Sequence, residues 1–423
     1  MKKPVVLLTT GTRGDVQPYI ALGLGLQAAG IPVVLASDPT FASLAAAYRL
    51  PFLPISGNPS TLLTQPGAQS ALTYDGSWLR SLHATLAYLR SARPLYAQML
   101  AEAAQACRTA AALVVGLPTL WGAHLAEALN IPCTYAFLQP FSRTAAFSSA
   151  LLPFALPNWA PLNRASHTWV EQAIWQPWRG LIQAWRRDRL SLPPAPFWGI
   201  ADRLYATETV VLNAFSALVV PPPPDWPVRH RPTGFWQLDP PDGWTPAPEL
   251  AQFLAAGPPP VYIGFGSPGL RQQAATAGLI LDALRQSGLR AVVNLPPGAF
   301  VTPPPADRVF LISETPHAWL FARCAALVHH GGAGTTAAGL RAGRPAVVIP
   351  MATDQFFWGG RVQALGVGPP PLPQRALTAE RLAQGLLQAA QNSALQRRAA
   401  ELGTAIRAEQ GVAAAITLLT SRL

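Results

Sequence analysis

The chain has 423 residues, half of them hydrophobic and 12% charged, which is enough apolar side chain for more than one core and excludes a disordered polymer. The net charge is +11, and it is arginine charge, because Lys2 and Lys3 are the only lysines; with no basic run and no nucleic-acid motif, nucleic acid ranks behind an anionic substrate or an anionic membrane surface. The three cysteines, Cys107, Cys133 and Cys324, are widely separated, lack metal-ligand spacing and read as reduced thiols of a cytoplasmic protein.

In chain order, Val5 to Thr10 reads as a first strand, too short an apolar run for a signal peptide. The turn Gly11-Thr12-Arg13-Gly14-Asp15 leads into a helix, with Pro18 in its first turn. Ile31 to Ala36, Leu113 to Val115 and Val210 to Asn213 are further strands between alanine- and leucine-rich helical segments. The uncharged stretch Thr144 to Asn163 is broken by Pro153, Pro157 and Pro161 and cannot span a bilayer as one helix. From Asn163 to Leu190 a helical stretch carries four tryptophans and five arginines; Trp178, Leu181, Ile182 and Trp185 share one face, which predicts packing into a core, with a peripheral membrane contact as the alternative. Pro221 to Pro224 reads as the start of a stiff interdomain linker. The βα alternation then resumes, with strands at Val261 to Phe265, Ala291 to Leu295, Val309 to Ile312, Leu327 to His330 and Ala346 to Ile349. Thr378 is placed to cap a helix ending near Gln391, and Leu395 to Leu423 is helical with an interruption at Gly411. The fold class is therefore α/β, with two doubly wound parallel domains.

Three stretches are placed to carry chemistry. In Ala325 to Gln355, a strand ends at His329-His330 and is followed by Gly331, Gly332 and Gly334, then Thr335 and Thr336 at a helix start. Glycines there let backbone N–H groups approach an anion, and the helix start adds unpaired donors and partial positive charge, so the stretch has the form of a phosphate cradle. Asp354-Gln355 lies just past the next strand, at the same edge of the sheet, and a carboxylate-amide pair beside a phosphate site suggests a sugar nucleotide. Adjacent residues on a strand point to opposite faces, so one of His329 and His330 should pack while the other, His330, meets the glycines. Gly264-Phe265-Gly266-Ser267 could form the opposite wall of that site. Asp15 is either a capping residue or a general base, with Arg13 to orient it or to neutralise phosphate. The chain has no Asp-x-Asp, which argues against a metal-bridged diphosphate; helix dipole, backbone donors, hydroxyls and His330 would have to meet that charge. His124 and His317 read as mainly structural, His317 with some prospect of nucleotide contact.

Taken together, Gly11 to Pro18, Gly264 to Ser267, Pro316 to Phe321, His329 to Thr336 and Asp354 to Gly359 resemble the UDP-sugar glycosyltransferases of the GT-B fold, and within them the sterol 3β-glucosyltransferases and the antibiotic-aglycone glycosyltransferases. The resemblance implies an N-terminal acceptor-binding domain over 1–220, a linker over 221–240, a UDP-sugar-binding domain over 241–394 and a C-terminal helix over 395–423 that returns to the first domain. It implies that Asp15 is the base and that Thr12, Arg13, Gly14, Ser267, His317, His330, Gly332, Gly334, Thr335, Thr336, Asp354 and Gln355 hold the donor, with the uracil near Glu314 to His317 and no cofactor or metal.

The expected reaction is inverting transfer of glucose from UDP-glucose to a hydroxyl of a hydrophobic acceptor such as a sterol. Phe137, Phe141, Phe147 and Phe154, with Leu151, Leu152 and Trp159, are the expected acceptor surface. A polyketide, macrolide, carotenoid or other lipid aglycone is the alternative acceptor; a sugar-nucleotide epimerase and a non-catalytic sugar-nucleotide binder are alternatives of another class. A monomer or weak dimer, cytoplasmic or peripheral at a membrane, completes the expectation.

Overall fold

The computed structural model describes residues 3–57, 78–154, 156–199, 201–265, 273–295, 298–301 and 303–421. The strands are β1 (Val5–Leu8), β2 (Val33–Ser37), β3 (Phe52–Pro54), β4 (Ala112–Val115), β5 (Cys133–Phe137), β6 (Val211–Asn213), β7 (His230–Pro232), β8 (Val261–Gly264), β9 (Ala291–Asn294), β10 (Val309–Ile312), β11 (Leu327–His329) and β12 (Ala346–Val348). The helices are α1 (Arg13–Ala28), α2 (Ala42–Ala47), α3 (Trp78–Ala106), α4 (Gly122–Leu129), α5 (Ala160–Trp175), α6 (Arg179–Leu190), α7 (Ala201–Leu204), α8 (Pro248–Ala255), α9 (Gln273–Ser287), α10 (His317–Leu320), α11 (Ala333–Ala342), α12 (Gln355–Ala364), α13 (Ala379–Gln391), α14 (Ser393–Ala408) and α15 (Gly411–Thr420).

The strands form two parallel sheets, in the orders β3-β2-β1-β4-β5-β6-β7 and β10-β9-β8-β11-β12. Strands such as Val5–Leu8 and Val261–Gly264 are buried along their whole length because helices cover both faces of each sheet, which is why they read as unbroken apolar runs. In each sheet the strand order reverses at one place, between β1 and β4 in the first and between β8 and β11 in the second. Leu8 lies beside Val115 and Gly264 beside His329, so the loops leaving these four strands diverge and open a crevice at the carboxyl edge. The two domains of the expected α/β fold are both present, and their crevices face each other.

Three strands escape the sequence reading. β3 and β7 are the two outer strands of the first sheet and contain Pro54 and Pro232, which an outer strand tolerates because one side of its ladder is unused. β5 is a short apolar run between Pro132 and Pro140. The linker assigned to 221–240 is accordingly not free chain. It contains β7, Trp226 is buried in the second domain's core with Phe215, and Trp236 is buried in the first domain's core.

The C-terminal assignment also changes. α14 stays on the second domain, where a Cβ on Gly403 would lie 2.6 Å from the Cα of Gly343. Only α15 returns to the first domain, after the chain passes Gly411 against Gly234 and Phe235, where a Cβ on Gly411 would lie 2.6 Å from the Phe235 carbonyl oxygen. Ala415 and Leu419 of α15 are buried with Val5, Leu7 and Leu22. Helix α1 also starts earlier than expected, which moves Pro18 past its first turn and leaves the Gly14 carbonyl without a helical donor.

The contact between α1 and α15 has no spare room: a Cβ on Gly25 would lie 2.3 Å from Cγ1 of Val412 and 2.8 Å from Cδ1 of Ile416. Gly25→Val is expected to cost about 1–3 kcal/mol through overpacking. Thermal unfolding followed by circular dichroism checks it, and an unchanged melting temperature would contradict this seating of α15.

Candidate active site in the interdomain crevice

The first half of the site is the start of α1. Thr12 is its N-cap and Asp15 its third residue, so the carboxylate lies where a helix presents free N–H groups. The Thr12 backbone N–H and Oγ1–H both donate to Oδ2 of Asp15, at 2.7 and 2.9 Å. Oδ1 accepts no hydrogen bond among the described residues. Burial raises the Asp15 pKa above the ordinary carboxylate value, against the Thr12 hydrogen bonds that lower it. Gly11 has φ +123°, and a Cβ on it would lie 2.5 Å from Oδ2, so a side chain there would strike the carboxylate.

The second half is the start of α11. His329 is buried, and its Nδ1 accepts the Gly331 N–H at 3.0 Å, which fixes the turn; His330 comes next, at the glycines. Gly331 has φ +92°, and a Cβ on it would lie 2.9 Å from the Gln355 carbonyl oxygen; one on Gly332 would lie 2.5 Å from Nε2 of His330. Gly332 is the N-cap, so the first N–H groups of α11 have no intrahelical acceptor. His330 Nδ1 and Thr336 Oγ1 are buried with no hydrogen-bond partner among the described residues. Burial lowers the pKa of His330 to about 4, so the ring is neutral near pH 7. A cradle of unpaired donors at a helix N-terminus fits an oxyanion such as a diphosphate.

These two helix starts meet. A Cβ on Gly334 would lie 3.7 Å from the Cα of Gly14, and Arg13 Nη1 donates to Glu314 Oε2 at 3.0 Å across the crevice. His317 stacks on Phe321, with ring centroids 4.4 Å apart, and its pKa is lowered to about 4 by burial and then by Arg13 and His330. Thr12, Arg13, Gly14, His317, His330, Gly332, Gly334, Thr335 and Thr336 thus gather around one gap. Ser267 lies outside the described residues.

Asp354 and Gln355 begin α12 beside this gap. Oε1 of Gln355 accepts the Met351 and Ala352 N–H groups at 2.7 and 3.1 Å, which leaves its NH₂ group for a ligand. Oδ1 of Asp354 accepts from Thr353 Oγ1 at 3.0 Å and Oδ2 from Trp358 Nε1 at 3.1 Å. The Trp358 contact, one helical turn away, was available in the sequence as an i,i+4 spacing and was not singled out. Burial, and then the negative charge of Asp15, raise the Asp354 pKa to about 6. Among the described residues no three His, Cys, Asp or Glu side chains cluster to hold a metal ion.

The phenylalanines chosen from sequence do not form one surface. Phe137 is fully buried in the first domain's core. Phe147 packs against Trp226 and Phe357 between the domains, and Phe154 is exposed. Only Phe141 lines the cavity of about 320 Å³ that the first domain does contain. This cavity starts at Leu117 and Pro118, directly after β4, one strand from the turn that carries Asp15. Trp121, Trp175, Trp178 and Trp198 supply most of its aromatic wall. Trp175 and Trp178 are neighbours in the chain, but Trp121 and Trp198 come from separate segments, so no local pattern marks the four as one wall.

Residues 5–148 match the glycosyltransferase family 28 N-terminal domain, and residues 297–415 match the C-terminal domain of proteins like erythromycin biosynthesis protein CIII. The chain is 33% identical over 419 residues to a sterol 3-beta-glucosyltransferase of Arabidopsis thaliana, covering 97% of this chain and 67% of that protein. It is 34% identical over 427 residues to the sterol 3-beta-glucosyltransferase of Emericella nidulans and 33% identical over 427 residues to that of Neosartorya fischeri, in each case covering 97% of this chain and spanning 29% of the fungal protein's length. Among solved structures, the glycosyltransferase of kitacinnamycin superposes with a TM-score of 0.69 at 19% identity, covering all of both chains. The calicheamicin glycosyltransferase CalG4 gives 0.67 at 17% identity, covering 100% of this chain and 99% of that one. These structural matches establish the fold.

The raised Asp354 pKa makes stability depend on pH. Between the ordinary carboxylate value of 3.8 and about 6, the unfolded chain ionises Asp354 while the folded chain keeps it protonated. Its contribution is therefore present at acid pH and lost as the pH rises through about 6. The melting temperature of wild type minus that of Asp354→Asn should fall between about pH 4 and about pH 7; a flat or rising difference would contradict this assignment.

Proposed function

The chain belongs to the sterol 3-beta-glucosyltransferase family, and from that membership we propose that it transfers glucose from UDP-glucose, with inversion, to a hydroxyl of a hydrophobic acceptor of the sterol kind. The observation that carries this reading is the meeting of the α1 start, bearing Asp15, with the α11 start, bearing unpaired donors. The diphosphate lies on the α11 N–H groups, Thr335, Thr336 and His330, with Ser267 as a further hydroxyl, and needs no metal ion. Thr12, Arg13 and Gly14 close over it from the other domain. The uracil lies near Glu314 and His317, and the glucose hydroxyls bond to Asp354 and the Gln355 NH₂ group.

In the reaction, free Oδ1 of Asp15 accepts the proton of the acceptor hydroxyl. That oxygen bonds to the anomeric carbon from the face opposite the diphosphate, the bond from that carbon to the diphosphate oxygen breaks, and UDP leaves carrying the electron pair. A carboxylate whose pKa is raised is a stronger proton acceptor, which suits Asp15 to the role. Charge building on the leaving diphosphate meets donors already in place, so little reorganisation is needed. The acceptor body occupies the cavity after β4.

A bilayer contact accompanies this reading. Trp159, Trp169, Phe197 and Trp198 are 63, 55, 57 and 59% exposed, and Arg179 lies 4.4 Å over the Phe197 ring. Trp198 also lines the acceptor cavity. Exposed indole rings, with Arg179 over the exposed Phe197, suit the headgroup layer of an anionic bilayer. Trp175, Ile182 and Trp185 are instead buried, as core packing required. Among the described residues no helix is long and apolar enough to cross a membrane.

Asp15→Asn should lower kcat by roughly 10²- to 10⁴-fold while UDP-glucose affinity, measured by calorimetry, stays within about threefold. Transfer at the wild-type rate by a folded variant would remove Asp15 from the base role; isomerised sugar nucleotide without acceptor would indicate an epimerase instead. For the bilayer contact, sedimentation with phosphatidylserine vesicles should exceed that with phosphatidylcholine vesicles and fall in a Trp159→Ala, Trp169→Ala, Trp198→Ala triple variant. Absence of binding to either vesicle would exclude the contact.

A further inference from the structure

The cavity after β4 has apolar walls with two exceptions that no intramolecular bond explains. Trp121 and His124 both line it, and both lie at the start of α4, three residues apart and so on the same face of that turn. Their exposures are 3% and 1%. Neither Trp121 Nε1 nor His124 Nε2 has a hydrogen-bond partner among the described residues.

The proton on His124 is located by its other nitrogen. Arg186, itself 2% exposed, donates from Nη1 to His124 Nδ1 at 2.7 Å. A guanidinium can only donate, so Nδ1 accepts and the neutral ring carries its proton on Nε2. The pKa of His124 is lowered to about 3, first by burial and then by Arg186 and Arg203, so a second proton is excluded near pH 7. Glu127 fixes this arrangement, accepting from Arg186 and from Arg203 at 2.6 Å. His124 Nε2 and Trp121 Nε1 are therefore two buried N–H donors, unpartnered among the described residues, on side chains that line an apolar cavity.

Leaving buried donors unmade costs about 1–3 kcal/mol each, so such a pair calls for an acceptor atom. A lone water serves poorly, because it needs two to four polar partners and its own hydrogens would need acceptors. The carboxylate in the wall, Glu171, already accepts from Arg143 and Tyr205. An oxygen with lone pairs and no hydrogen, on a molecule that otherwise fills an apolar cavity, satisfies both donors.

We propose that Trp121 and His124 anchor a second oxygen function of the acceptor, a ketone or ether remote from the hydroxyl that receives the sugar. This rests on the glycosyl-transfer reading and narrows the acceptor to hydrophobic molecules oxygenated at two separated places. Residues Trp121 and His124 are specificity-determining; the proton transfer belongs to Asp15.

The test uses the full chain with matched pairs of 3β-hydroxysteroids that differ by one ketone, on the D ring, on the side chain or on the B ring. Dissociation constants are measured calorimetrically and transfer by hexose mass gain. At least one pair should favour the ketone by roughly tenfold or more in both affinity and kcat/KM. Trp121→Phe and His124→Phe should each reduce that ratio to about threefold or less, and His124→Gln, which restores an N–H donor, should recover it. No pair differing by more than about twofold in wild type, or a preference that survives both phenylalanine variants, would overturn the proposal. The wild-type ratio decides even if a variant fails to fold. Preferential binding of the ketone without transfer would overturn the transferase reading and leave the anchor standing; transfer without preference would do the reverse.

Discussion

Two helices begin at the same gap, and most of the site follows from that constraint. α1 leaves the first sheet and α11 leaves the second, each where strand order reverses, and their first turns come together at Gly14 and Gly334. Each helix start carries about half a positive charge and unpaired N–H groups, so bringing two of them together is unfavourable unless negative charge lies between. Asp15 supplies one such charge and Asp354 another, and the donors of α11 remain for a ligand. Two further glycines are dictated by closeness within each turn: a side chain on Gly11 or Gly332 would occupy the position of the Asp15 carboxylate or the His330 ring.

The crevice holds its polar groups in an unfinished state. Thr336 Oγ1 and His330 Nδ1 on the second domain, and Trp121 Nε1 and His124 Nε2 on the first, are buried without hydrogen-bond partners among the described residues. Gln355 gives its oxygen to the loop at Met351 and Ala352 and keeps its NH₂ free; Asp15 gives Oδ2 to Thr12 and keeps Oδ1 free. Each side chain is thus fixed by one atom and available by another. Rigid placement and unmade bonds together are what a binding site requires, and the missing bonds lower the stability of the empty protein.

The two domains divide the work by composition. The second presents glycines, hydroxyls and histidines from one contiguous βαβ stretch. The first surrounds its cavity with tryptophans from three stretches of the chain, at 121, 175–178 and 198, and Trp198 extends outward to solvent. A glycine turn built from consecutive residues is fixed as a unit, whereas a wall assembled from separate segments can change one residue at a time.

The sequence by itself determined the parts in which neighbours in space are neighbours in the chain. The glycine turn at 331–334, the carboxylate at Asp15, the pair Asp354-Gln355 and nine of the strands follow from local spacing, because a strand, a tight turn and a helix start each depend on a few consecutive residues. Tertiary structure decided the rest. The outer strands β3 and β7 are too short and too rich in proline to announce themselves and exist because a neighbouring strand supplies the ladder. The division of the C-terminal helices depends on which surface each glycine meets. The cavity after β4 depends on packing between α4, α5, α6 and the loops after β4 and β5, so an aromatic count along 137–159 found one wall residue, Phe141, and missed the tryptophans. His124 passes in the sequence as a structural histidine, and in part it is one; only the burial of Arg186 against Nδ1 shows which ring nitrogen keeps its proton.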